Sequence, residues 1–374
     1  MQEDNFASEM NCTSIVSETE ERKAYLDYIR VLATLAVMII HISAQNWYGV
    51  DVNTYQWQVF NFWDSIVRWS VPAFVMISGS IFLSRDIPIK RIYGKYVLRL
   101  LIAFSFWSFI YYLFQGNSIK ESFTQLFSDT SFSSLISLIQ GHYHLWFILM
   151  ILGLYICIPL YKRIMSDPVT EKYFLIIGFV VTIIFPSLIN YFKVSGGERT
   201  NNILDAINSN FNQMRILACA GYSYYFALGH YFDKKVFRKR TKQIVYILGI
   251  VGFLLTIFLS SLFSVKKQYP IDTFYDPFSI NVFLETIFVF LAFKSKKKFS
   301  KGICRIIRIL SEYSFGAYLV HLLVVEQALR YFGIHTMIFS PYIMVPLMSL
   351  GTFFISFGIS AILHQIPLLK KYIV

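Results

Sequence analysis

The chain has 374 residues, of which 56% are hydrophobic and 18% aromatic, and a formal net charge of +12. A composition this apolar exceeds what a soluble globule buries, so an all-α, polytopic domain with the bilayer as solvent is expected. The basic residues fall between apolar runs rather than along one face, which argues against nucleic acid as a partner and follows the positive-inside pattern.

Residues 1–23 carry Glu3, Asp4, Glu9, Glu18, Glu20 and Glu21 and lack the basic n-region of a signal peptide. They read as a disordered cytoplasmic tail ahead of one membrane domain spanning 24–374. Apolar runs of spanning length follow near 24–46, 57–84, 97–115, 143–163, 172–192, 213–232, 243–264, 278–294, 309–331 and 341–366, which predicts about ten helices. Loop charge tests that count independently. Loops with Arg85, Lys90, Arg91 and Lys95, with Lys162 and Arg163, with Lys234 to Lys242 and with Lys294 to Arg308 are basic, and they alternate with loops that are not. Both termini are therefore expected in the cytoplasm. Ser118 to Gln140 is too short and polar to span, and its scattered Phe and Leu suit a segment lying in the outer interface. No inverted repeat and no matched pair of broken helices is visible.

The first run, YLDYIRVLATLAVMIIHISAQNW, carries Asp27, Arg30 and His41, which a simple anchor has no use for. Arg30 and His41 are eleven positions apart. At about 100° per residue they share one face, roughly 16 Å apart along the axis, with Thr34 and Met38 between them. Arg30 also sits three residues after Asp27, so a brace within the helix is a second reading. Of the other arginines in apolar runs, Arg215 and Arg330 lie near helix ends, where snorkelling accounts for them. Arg68 lies mid-run one turn after Asp64, so an ion pair and a ligand contact are both open, and Pro72, Ser78 and Gly79 suggest a kink and a close helix contact.

His144 opens the fourth run, His321 lies deep in the ninth, and both point to the outer half with His41. In the eighth run Asn281 and Glu285 are one turn apart, where a buried carboxylate orients an imidazole or binds a hydroxyl. Phosphate loops, nucleophile elbows and zinc-protease motifs are lacking, and no His pair has ligand spacing, so no metal is expected. Cys12, Cys157, Cys219 and Cys304 are scattered without framework spacing.

Several stretches together resemble the acyltransferase 3 family of integral membrane acyltransferases. They are Arg30 to His41, RWSVPAFVMISG, HLWFILMILGLYICIPL, YYFALGHYF, SEYSFGAYLVHLL and the closing IPLLKKYIV, in that order over about residues 24–374. The resemblance implies an O-acyltransferase of the cell membrane that moves an acyl group, usually acetyl, from cytoplasmic acetyl-CoA to a hydroxyl of a glycan or envelope precursor. It implies no permanently bound cofactor, with acyl-CoA as co-substrate. Carried over, His41 is the catalytic candidate and Arg30 its partner. Arg68, Glu285, His144 and His321 are the further substrate-binding candidates, read from the intramembrane polar residues themselves. Competing expectations are a permease for a small polar solute such as serine, since the family includes racemase membrane halves associated with uptake, and a scaffold for envelope synthesis. Acceptor, acyl length and oligomeric state, a homodimer included, stay open.

Overall fold

The computed structural model describes residues 23–116, 118–128, 132–214, 216, 218–296 and 300–374. The expected tail, up to residue 22, and Arg215 lie outside the described residues. The protein is 81% helical with no strand among them. In chain order the main helices are α1 (Ala24–Ala44), α2 (Tyr55–Ser65), α3 (Ser70–Phe82), α4 (Leu98–Gln115), α5 (Ile119–Ser128), α6 (Ser133–Gln140), α7 (Trp146–Ile156), α8 (Ile158–Ser166), α9 (Pro168–Phe179), α10 (Phe185–Ser195), α11 (Glu198–Gln213), α12 (Tyr222–Lys234), α13 (Lys239–Lys267), α14 (Ile280–Ser295), α15 (Lys301–Leu323), α16 (Pro341–Leu363) and α17 (Pro367–Tyr372).

Local chemistry sets several boundaries. Thr54 caps α2 by accepting from the Trp57 N–H, and Asp167 caps α9 by accepting from the Thr170 N–H at 2.8 Å, with Pro168 following it. Pro341 likewise stands at the first position of α16. Between α9 and α10 a π-helical turn at Val180–Ile184 precedes Pro186, which has no N–H to continue the ladder. The Arg68 run breaks before Pro72: Ile66 to Trp69 form a turn between α2 and α3, so one apolar run becomes two stacked helices.

Among the described residues eight helical spans, some joining two labelled helices as in Tyr55–Phe82 and Pro168–Ser195, are long and apolar enough to cross a membrane, and a ninth results if α6 and the helix from Tyr143 to Ile156, bent by 42°, count as one. The sixth predicted run folds as α12, whose 13 residues reach only about 20 Å. Ser223 to His230 are all buried, so α12 is wrapped by protein rather than lipid and has no bilayer thickness to match. It crosses α3 at two glycines. A Cβ on Gly79 would run into the backbone of Phe226, and one on Gly229 into that of Met76, while the Ser80 hydroxyl donates to the Gly229 carbonyl at 2.9 Å. Close backbone approach through small residues is what holds helices together where apolar burial gains little over lipid.

Helix α13 is the opposite case, since only 22% of its most apolar window is buried and the remainder faces outward as a lipid belt. The stretch expected to lie in the interface folds as α5 and α6. Phe123, Phe127, Phe132 and Leu135 point outward there, and the Tyr112 hydroxyl ties the inner side by donating to Ser134 Oγ at 2.9 Å.

Helix α1 runs through the middle of the bundle, against α2, α3, α14, α15 and α16. The basic loops gather at its N-terminal end. Lys23 pairs with Asp233 at 2.5 Å, Lys162 with Asp86 at 2.8 Å, and Lys294 donates to the Asp233 and Lys235 carbonyls, each at 2.7 Å. The other end is held by neutral contacts such as Asn46 to Thr336 at 2.5 Å and Asn53 to Gln268 at 3.0 Å.

Candidate functional site

A cavity of about 720 Å³ opens along α1. Lys23, Arg85 and Arg99 line it at the basic end, Arg30 and Val37 along its length, and His41 and His144 towards the opposite end. The face shared by Arg30 and His41 is thus a cavity wall. Its middle is less polar than the sequence spacing suggests. Thr34 turns its hydroxyl back to the Arg30 carbonyl at 2.9 Å, and Met38 packs against Ala317 and Phe353, leaving Val37 on the wall.

Arg30 is both braced and presented. Its guanidinium donates to Ser311 Oγ at 2.9 Å and lies 3.6 Å from Asp27 Oδ1, and Ser311 in turn donates to Asp27 Oδ1 at 2.6 Å. Asp27 and Ser311 therefore fix the plane of the fork on a wall shared with α15. The cavity carries Lys23, Arg30, Arg85 and Arg99 against Asp27 and Glu312, so its basic end favours an anion.

At the other end the imidazoles meet. The His41 ring centroid lies 5.1 Å from that of His321 and 5.8 Å from the Tyr143 ring, and the His321 ring lies 5.4 Å from that of His144. His321 is fully buried behind the wall, and its Nδ1–H donates to the Tyr318 carbonyl, which fixes its tautomer. The Tyr318 hydroxyl donates to the His144 carbonyl at 2.5 Å and so ties α15 to the start of α7. Nε2 of His144 and of His321 are both buried without a hydrogen-bond partner.

Three residues beside these were not singled out from sequence. His142 Nδ1 lies 2.9 Å from His144 Nδ1, His142 Nε2 lies 3.2 Å from Glu326 Oε2, and Tyr111 stacks on His142 at 4.3 Å. The HYH triplet was the available signal for His142. Glu326 sits in a π-helical turn, Val324–Leu329, where a helical count from His321 no longer predicts direction.

Arg68 and Glu285 stand off the cavity wall. Arg68 pairs with Asp64 and places its guanidinium 4.0 Å over the Tyr275 ring, whose hydroxyl donates to Asn61 Oδ1 at 2.6 Å. Glu285 is fully buried and accepts from Thr256, which itself accepts from Asn281 at 2.8 Å. These groups join α2, α13 and α14 in a second polar cluster, and neither Arg68 nor Glu285 lines the cavity. Among the described residues no group of His, Cys, Asp and Glu is arranged to hold a metal ion.

A multi-pass helical bundle with a cationic cavity ending at imidazoles defines the class. The family profile described as an acyltransferase domain, of the acyltransferase 3 family, matches residues 23–364, and the chain belongs to that family. Its class of activity is acyl transfer in a membrane. No characterised protein and no solved structure matches the chain significantly.

Proposed function

We propose that the protein is an O-acetyltransferase of the cell membrane, taking acetyl from cytoplasmic acetyl-CoA and placing it on a hydroxyl of an envelope glycan or precursor. The observation that carries this reading is the single cavity shared by Arg30 and His41. The donor's phosphates are anionic and suit Lys23, Arg85, Arg99 and Arg30, at the end that the positive-inside rule assigns to the cytoplasm. The pantetheine arm covers the roughly 16 Å from Arg30 to His41 along an apolar wall, which brings the thioester to the imidazoles.

Neutral His41 attacks the thioester carbon, the C–N bond forms and the C–S bond breaks. The leaving thiolate takes the proton from the other nitrogen of the acylated ring, giving free CoA and a neutral acyl-imidazole. The acceptor hydroxyl then attacks the acyl carbon from the outer end, and the C–N bond breaks. His41 recovers the hydroxyl's proton, so the sum is ester plus thiol with no net proton. Protein in liposomes given acetyl-labelled acetyl-CoA is expected to carry label on His41 and pass it to an added panel of glycans. His41→Ala is expected to abolish both while leaving the protein in the membrane. Full activity in that variant, or uptake of serine with no dependence on acetyl-CoA, overturns the reading.

A further inference from the structure

His144 faces the same cavity as His41, yet a single carrier imidazole leaves it without a task. Its hydrogen bonds suggest one. The Glu326 carboxylate only accepts, so a hydrogen bond across the 3.2 Å to His142 needs the proton on His142 Nε2. With His142 neutral, its Nδ1 is a lone pair, and across the 2.9 Å contact His144 donates from its own Nδ1. That leaves His144 Nε2 as a bare lone pair, and this atom is buried without a partner. His144 is 2% exposed, so its ring has no bulk water to set its tautomer. Stacking of Tyr111 on His142 and the Tyr318 bond to the His144 backbone fix both rings in place.

We infer that His142 and Glu326 are positioning residues that make His144 the base which takes the acceptor hydroxyl's proton. The inference rests on the acyl-His41 reading above. His41 and His144 flank His321, with centroids 5.1 and 5.4 Å from its ring. Both His41 and His144 line the one cavity, where an acyl group on His41 and an acceptor hydroxyl beside His144 can meet. As the hydroxyl oxygen bonds the acyl carbon, its proton moves to His144 Nε2. The C–N bond to His41 breaks, and the proton returns from His144 to the His41 imidazolate. In between, His144 is an imidazolium, and the negative charge of Glu326 stabilises it through His142, in the manner of the carboxylate of a Ser-His-Asp triad. Other groups facing this chain are Tyr111 from α4, Tyr143, His41 from α1, and Tyr318 and His321 from α15.

The test uses acetyl-labelled acetyl-CoA as donor and water as the hydroxyl, in a single turnover of the full-length protein in liposomes. Glu326→Gln and His142→Gln are expected to load label on His41 at the wild-type rate and acetyl-CoA concentration dependence. Release of label is expected to slow by about 10²-fold in each, with the double variant no slower than either single one. Glu326→Asp is expected to recover most of the rate. Wild-type release, or slowed release that Glu326→Asp does not recover, overturns the inference and leaves His41 as carrier. An unlabelled wild-type His41 overturns both. Should one variant fail to accumulate in the membrane, the other carries the test alone.

Discussion

Arg30 shows how a single charge at membrane depth is made affordable and useful at once. Asp27 and Ser311 hold one side of its guanidinium, and the residue lines the cavity. Lysine keeps the charge but cannot hold Ser311 and an anion in one plane, so Arg30→Lys is expected to lose at least about tenfold in acetyl-CoA turnover over its half-saturating concentration, roughly 1.4 kcal/mol. Steady-state kinetics with varied acetyl-CoA measures this, and unchanged values would show that the residue only braces the helix. The brace read from the spacing to Asp27 is present, and Arg30 also lines the cavity. Arg68 pairs with Asp64, one turn before it, and stacks on Tyr275, and it is not on the cavity wall.

At the scale of elements, the crossing of α3 and α12 is the contact most sensitive to a single atom. Neither backbone at the crossing can retreat without separating helices that are packed on their other faces, so overpacking there is expected to exceed the usual ~1–3 kcal/mol. Gly79→Leu and Gly229→Leu should therefore fail to give monodisperse protein in detergent. Gly358→Leu in α16, where a Cβ meets nothing within 4 Å, should behave as wild type. Equal size-exclusion profiles for all three would refute the crossing. The short α12 explains why a hydropathy count and a count by length differ here. Hydropathy registers an apolar run, whereas spanning length is required only of a helix that lipid surrounds, and α12 is enclosed.

For the whole molecule, the sorting of basic loops to one end makes a directional prediction. An impermeant maleimide applied to intact cells should label Asn53→Cys at the neutral end and not Lys90→Cys in the basic loop after α3, with the native cysteines as background. The reverse pattern would invert the bundle, place Arg30 towards the outside and remove the donor route.

Much of this organisation was legible beforehand, because the physics behind it is local in sequence. Bilayer crossing demands apolar runs, alternating loop charge sorts the basic loops to one end, and helical periodicity puts Arg30 and His41 on one face. Long-range pairing was not legible. His41, His144 and His321 could be ranked as costly intramembrane residues, but their meeting depends on how α1, α15 and the start of α7 pack. Glu285 met the same local criteria and packs into a different cluster. His142 and Glu326 were overlooked, one at a helix start and the other within a π turn, where periodicity carries no information. The sequence by itself determined an all-helical membrane protein, its family, and the placing of Arg30 and His41 on one face of α1. The tertiary structure alone decided that the face between Arg30 and His41 is an open cavity and that a second imidazole stands beside it. Empty space and side-chain pairing across helices are properties of packing, which no periodicity along one chain encodes.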